Sequence, residues 1–164
     1  MIVIEGMDNS GKSTLALRMA DYMDLLVQES EGPPQSPEEI NERVERYAVM
    51  QDRLFVRHPC VSNIIYDTFR PIQRQGWINP GNIMNFYDAR PVLIYCDGGV
   101  RGLQGHIEKT HDDGDHIEMI TKNYNDLLQQ YRLWAGEHAH FVYRIGDDMD
   151  TLVSTVFYYI NRKD

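Results

Sequence analysis

Cysteine is scarce in this chain. Cys60 and Cys96 are the only two, and their spacing fits neither a zinc site nor a C-x-x-C redox pair. A disulfide scaffold is excluded, and both thiols read as small buried hydrophobes. Long apolar runs are also missing. None reaches bilayer-spanning length, so no membrane partner is expected. Basic residues are outnumbered: 16 Lys and Arg face 25 Asp and Glu, a formal net charge of −9. A surface of that sign repels phosphate backbones, which disfavours generic nucleic-acid binding and leaves a local basic groove open. Internal repeats and low-complexity tracts are absent. The chain opens on an apolar segment without a basic leader, so a cytoplasmic location is expected. Its 164 residues suit a single domain, 1–164.

What is present alternates in type. Met1 to Glu5 reads as a short strand, followed by a helix from about Gly11 to Asp24 with Leu15, Leu17, Met19, Tyr22 and Met23 as apolar positions. Leu25 to Gln28 is a second strand, broken by Glu31-Gly32-Pro33-Pro34. Ser36-Pro37-Glu38-Glu39 opens a helix running to about Met50, with Ser36 as cap, Pro37 at the first helical position and Glu39 closing a capping box. The charges from Glu38 to Arg46 read as a solvated helix face with pairs such as Glu39 and Arg43. Leu54 to Arg57 is a third strand. Cys60 to Tyr66 suits helix or strand equally. After a loop from Arg70 to Gly81 come a short helix to Ala89, an apolar strand from Pro91 to Cys96, and a polar segment of about 98–115. A long helix from Asp115 to about Gly136, a strand from His140 to Ile145 and a helix from Met149 to Arg162 complete the chain. Five strands alternating with helices predict an α/β fold, a parallel sheet with helices on both faces in three layers.

One motif is sharp. Gly6-Met7-Asp8-Asn9-Ser10-Gly11-Lys12-Ser13 is G-x-x-x-x-G-K-S, placed between a strand and a helix. Its glycines let backbone N–H groups converge on an anion, and the helix start adds partial positive charge. In such a phosphate loop Lys12 reaches the β- and γ-phosphates of ATP, and the Ser13 hydroxyl ligates Mg2+. ATP and Mg2+ are therefore the expected cofactors, within a P-loop NTPase fold. No N-K-x-D motif is present, which argues against a GTPase, and no Asp-Glu pair follows an apolar run, which argues against a motor ATPase. A compact chain with a polar, lid-like segment at 98–115 suits a small-molecule or nucleotide kinase, which must keep water from the transferred group.

Gly6-Met7-Asp8-Asn9-Ser10-Gly11-Lys12-Ser13-Thr14 resembles the phosphate loop of the thymidylate kinase family, including its internal Asp8. Arg57-His58-Pro59-Cys60-Val61-Ser62 is similar to that family's Asp-Arg signature, with Val56 standing where the family has Asp. An alternative register sets Asp67-Thr68-Phe69 there; in either, half of the Asp-Arg pair is missing. Asp115-His116-Ile117-Glu118 looks like the family's post-lid block, and Arg144-Ile145-Gly146-Asp147 falls where its adenine-side loop begins. The lid is arginine-poor, with Arg101 and Lys109 its only cations from Asp97 to Asp115. The short chain is most similar to the compact kinases of this type that bacteriophages encode, which would place it in the host cytoplasm.

The resemblance implies transfer of the ATP γ-phosphoryl group to a thymidylate-like pyrimidine deoxynucleotide. Lys12 and Mg2+ neutralise charge, Asp8 faces the acceptor, Arg57 contacts the acceptor phosphate and Arg101 acts from the lid. Gly6 to Thr14 and Arg144 would hold the nucleotide. Glu31, Phe69, Arg70 and Arg74 join Arg57 on the acceptor side. Glu29, Glu31 and Asp97 lie at predicted strand ends and are open between holding Mg2+ through water and capping or solvation. Trp77 is open between base stacking and packing. His106, His111 and His116 do not share a helix face, so hydration outweighs metal binding. One branch of the phage kinases acts on 5-hydroxymethyluracil in DNA, which would need a groove of Arg57, Arg70, Arg74 and Arg101. A third reading is a non-catalytic nucleotide-binding regulator. The family's habit of dimerising makes a homodimer possible, with Leu152, Val153, Val156, Phe157 and Ile160 serving core or interface.

Overall fold

The computed structural model describes residues 1–50, 52–70, 75–99, 102 and 114–162, with side chains described from residue 118 in the last stretch. Arg74, Arg101, Lys109, His106, His111 and the side chains of Asp115 and His116 lie outside the described residues.

The elements in chain order are β1 (Ile2–Glu5), α1 (Lys12–Met23), β2 (Leu26–Gln28), α2 (Pro37–Ala48), β3 (Arg53–Val56), α3 (Pro59–Asp67), α4 (Pro80–Asp88), β4 (Val92–Asp97), α5 (Gly114–His138), β5 (Phe141–Arg144) and α6 (Met149–Asn161). The five strands form one parallel sheet in the order β2-β3-β1-β4-β5. The central strand β1 pairs Ile4 with Val56 of β3 and with Ile94 of β4, so the ends of three strands lie side by side.

Alternation along the strands builds two cores. Val3, Phe55, Leu93 and Tyr95 face a cluster completed by α2, α3, α4 and α5. Ile2, Ile4, Leu54, Val56, Ile94 and Cys96 face the other, against α1 and α6. Both faces are thus covered, which explains why β4 reads as an unbroken apolar run. Val153 and Val156 of α6 are buried in this second core, and Leu152 and Ile160 pack against it. Of the face left open between core and interface, these four residues serve the core, whereas Phe157 is exposed and meets Tyr22 edge-on. No helix among the described residues is long and apolar enough to cross a membrane.

Local chemistry sets several boundaries. The ambiguous run at Cys60 to Tyr66 is helix α3. Pro59 supplies a first-turn φ, and the His58 imidazole accepts from the Cys60 N–H at 3.2 Å as its cap. Ser36 accepts from the Glu39 N–H at 3.2 Å as expected. The Glu39 carboxylate returns to the Gln35 N–H at 2.8 Å rather than to the cap residue itself. The Glu39–Arg43 pair forms at 2.6 Å, but Arg43 is buried and also donates to the Gly32 carbonyl at 2.7 Å. That stretch is therefore not wholly a solvated face, because Arg43 ties α2 to the loop after β2. Helix α5 is kinked at Asn123, whose φ and ψ are −109° and 16°.

Candidate functional site

The phosphate loop sits at the carboxyl ends of β1 and β4. Gly6 adopts φ 143°, and a Cβ there would fall 2.3 Å from the Cys96 carbonyl oxygen. The chain can leave β1 beside β4 only with glycine at this position. Asn9 and Gly11 have φ of 57° and 88°, which turns the loop into the first turn of α1. The leading N–H groups of that helix have no intrahelical acceptor. Gly11 lies against Tyr143 and Ile145, so the end of β5 borders the loop. Gly98 packs on Ser10, with Cβ space of only 3.1 Å, and Tyr124 of α5 donates to the Gly99 carbonyl at 2.7 Å.

Within the loop Lys12 is buried, and its ammonium donates to the Met7 carbonyl and, at 3.4 Å, to the Ser10 hydroxyl. Burial, and then repulsion from Arg57, lowers its pKa to about 7. A buried cation held this way is poorly compensated by the protein alone, which suits it to a polyanion. Ser13 and Thr14 open α1 with exposed side chains. Arg144 is exposed at the end of β5, where its N–H donates to Asp147 at 2.8 Å.

Asp8 points from the loop to the other side. Arg57 follows β3 directly and donates to Asp8 at 2.5 Å and to the Tyr66 hydroxyl at 3.3 Å. Its backbone is left-handed at φ 66°, and its guanidinium lies 5.4 Å from the Tyr66 ring centroid. Burial alone would lower the Arg57 pKa, but Tyr66, Asp8, Tyr131 and Glu5 outweigh it and hold it above the ordinary value. Behind this pair, Glu5 is fully buried and accepts from the His58 N–H at 2.6 Å. Burial raises its pKa to about 7.

Asp8 and Arg57 form one wall of a cleft of about 490 Å³. The loop after β2 contributes Ser30, Gly32, Pro33 and Gln35, and helix α3 contributes Ser62, Asn63 and Tyr66, with Arg70 just beyond. Spacing of three and four residues puts Asn63, Tyr66 and Arg70 on one side of that helix and its extension. Arg70 donates to Asp67 at 3.3 Å and lies 6.0 Å from the Tyr66 centroid.

Of the residues singled out in the sequence, the structure brings Asp8, Lys12, Arg57 and Arg70 together. Glu31 instead accepts from Arg46 at 2.5 and 2.7 Å and from Tyr47 at 2.8 Å, so its carboxylate faces α2 while its neighbours line the cleft. Phe69 and Trp77 pack on the core beneath α3 and α4. Asp97 is held by Arg132 at 3.0 and 3.2 Å and by the Gly99 N–H at 3.0 Å, and Glu29 is exposed. Glu5, Asn63 and Tyr131 escaped the sequence reading. Glu5 had a visible signal, a carboxylate closing an otherwise apolar strand.

No protein-family model and no curated protein sequence matches the chain. Its likeness is to solved structures. One is the YorR protein of Bacillus subtilis in complex with phosphorylated GDP, with TM-score 0.74 and 16% identity over 98% of this chain and 95% of that one. Another is the deoxyadenosine kinase of M. mycoides with the products dCMP and dCDP, with TM-score 0.63 and 14% identity over 99% of both chains. A third is the thymidylate kinase of Candida albicans, with TM-score 0.58 and 14% identity over 98% and 90%. At these identities the likeness is one of fold: the chain has the three-layer α/β fold of the P-loop kinases.

Proposed function

We propose that the protein is a nucleotide kinase that moves the γ-phosphoryl group of ATP to a thymidylate-like pyrimidine deoxynucleotide. One observation carries this reading: Asp8 belongs both to the phosphate loop and to the cleft that holds Arg57. A donor cradled in the loop and an acceptor seated in the cleft therefore meet at one residue.

The loop fits a triphosphate. Its glycine-dependent turn, the leading N–H groups of α1, which receive no side-chain cap among the described residues, and the poorly compensated Lys12 are all anion-binding features. Gly6 to Thr14 would hold the phosphates, and Arg144 lies on the side where β5 meets the loop. Lys12 would leave the Met7 carbonyl to meet the β- and γ-oxygens. Ser13 would offer its exposed hydroxyl to Mg2+, which when bound would supply charge neutralisation at the phosphates.

The cleft fits one nucleotide. Its volume lies in the usual small-ligand range of roughly 300–1,000 Å³. Arg57 exchanges Asp8 for the acceptor phosphate, and the planar guanidinium suits bidentate contact with phosphate oxygens. A nucleoside phosphate is already nucleophilic at neutral pH, so the released Asp8 orients it rather than removing a proton. Asn63 is nearly buried, lines the cleft and makes no side-chain hydrogen bond among the described residues, so its amide is available to read a base edge.

The test is an ADP-release assay over dTMP, dUMP, hydroxymethyl-dUMP, free nucleosides and DNA carrying hydroxymethyluracil. Turnover with dTMP-like monophosphates is expected. Turnover with DNA alone would transfer the reading to the modified-base kinase, and no turnover with any acceptor would favour a nucleotide-binding regulator.

A further inference from the structure

Behind the Asp8–Arg57 pair lie three buried polar atoms with no hydrogen-bond partner among the described residues: Glu5 Oε2, Arg57 Nε and Tyr131 Oη. They come from three elements that the fold forces together. Glu5 ends β1, and Arg57 follows the neighbouring strand β3, where its N–H donates to the Ile4 carbonyl at 2.9 Å. Tyr131, on α5, stacks on Tyr95 at 6.1 Å between centroids and meets Tyr66 edge-on at 6.1 Å. Tyr66 in turn bonds Arg57. Tyr131 feels the charges of Glu5, Arg57 and Asp8, which places all three within electrostatic reach.

An orphaned buried polar atom costs about 1–3 kcal/mol, so three on neighbouring elements call for a partner, and one partner common to all is the simplest. Their chemistry is complementary. The Arg57 Nε–H can only donate, a Glu5 carboxylate oxygen accepts, and the Tyr131 hydroxyl does either. A single water accepting from Arg57 and Tyr131 and donating to Glu5 satisfies all three, with the roughly three hydrogen bonds usual for an internal water.

We propose that such a water joins Glu5, Arg57 and Tyr131, and that Glu5 and Tyr131 are thereby positioning residues for the Arg57 guanidinium. The arrangement gives Arg57 two working edges. Its Nη2 faces Asp8 and the cleft, where partners exchange, and its Nε edge is fixed to the protein interior. When an anionic acceptor displaces Asp8, the fixed edge keeps the guanidinium plane aimed at the cleft. This rests on the kinase reading only in naming the anion.

The experiment pairs a high-resolution crystal structure with calorimetric titration of dTMP and of ATP into wild type and Tyr131→Phe, a change that keeps the ring stacking and removes one oxygen. The expected result is one ordered water bonded to Glu5, Arg57 and Tyr131 in wild type and lost or displaced in the variant. With it comes dTMP affinity about tenfold weaker and ATP affinity unaltered, the size of one net hydrogen bond. Glu5→Gln, which keeps an oxygen for the His58 N–H, should weaken dTMP in the same selective way. Direct contact among the three groups without water, equal dTMP affinity in Tyr131→Phe, or equal loss of both ligands would overturn the proposal. If wild type binds no dTMP at all, the acceptor reading fails, and the water site stands or falls on the electron density alone.

Discussion

The two halves of the site are built in different ways. The phosphate loop is eight consecutive residues whose shape comes from backbone: positive φ at Gly6, Asn9 and Gly11, and a strand end that permits no Cβ at position 6. The cleft beside it is assembled from four separate stretches, and its character comes from side chains that hold one another: Asp8 with Arg57, Arg70 with Asp67, Tyr66 beneath both arginines. Geometry fixed by backbone tolerates only a narrow set of residues and therefore writes itself into the sequence. Geometry fixed by side chains can be reached in many ways and leaves a fainter trace.

That contrast can be broken by mutation. Lys12→Ala should cut phosphoryl transfer about 10²–10³-fold, the usual loss of a main charge-stabilising donor, with nucleotide binding weakened in parallel. A variant that bound ATP with Mg2+ as well as wild type would refute the donor half. Arg57→Lys should weaken acceptor binding about 10–100-fold while leaving ATP affinity nearly intact, since a charged hydrogen bond contributes roughly 1.5–3 kcal/mol and lysine cannot reproduce the fork. Equal loss of both ligands would show that the halves are not separable.

Gly6→Ala probes the backbone half by stability. The added methyl meets the Cys96 carbonyl, and the φ is unsuited to alanine, so a loss of about 1–3 kcal/mol in urea unfolding is expected. Asn63→Ala should leave Tm almost unchanged and shift the preference among dTMP, dUMP and dCMP by about tenfold in kcat/KM. An unchanged ranking would remove Asn63 from base reading.

A pH signature probes the buried charges of both halves. Glu5 has a folded pKa near 7, above its unfolded 4.5, so its contribution to stability is complete below about 4.5 and is lost as pH rises through 7. Lys12 has a folded pKa near 7, below its unfolded 10.5, so the unfolded chain binds the extra proton between them and stability rises with pH from 7 to 10.5. Together they give a stability minimum near pH 7 in urea titrations of the ligand-free protein. Lys12→Met should remove the rise above pH 7, and Glu5→Gln the fall below it.

The sheet and the loop were readable before folding because each is a local pattern: an apolar run such as Val92 to Cys96, or G-x-x-x-x-G-K-S before a helix. All five strands and the flanking helices lie within a few residues of expectation. Helix α3 was undecided because nine residues give too little period, although Pro59 after a capping His58 was a usable cue. The contacts of Glu31 and Arg43 could not be read locally: tertiary structure brings a loop carboxylate and a helical arginine to 3.7 Å, with Arg46 and Tyr47 closing the cluster. Tyr131 gave no signal, since one aromatic among many on an amphipathic helix reads as packing.

Arg57 holds a backbone conformation that glycine would hold with less strain, by about 1–2 kcal/mol. Its retention there sets foldability against chemistry at a single codon. Laboratory evolution of this chain for heat resistance alone should therefore drift away from arginine at position 57, whereas evolution that also demands turnover should keep it and accept the strain. Sequencing the two survivor pools would show whether that strain is tolerated for what the guanidinium does.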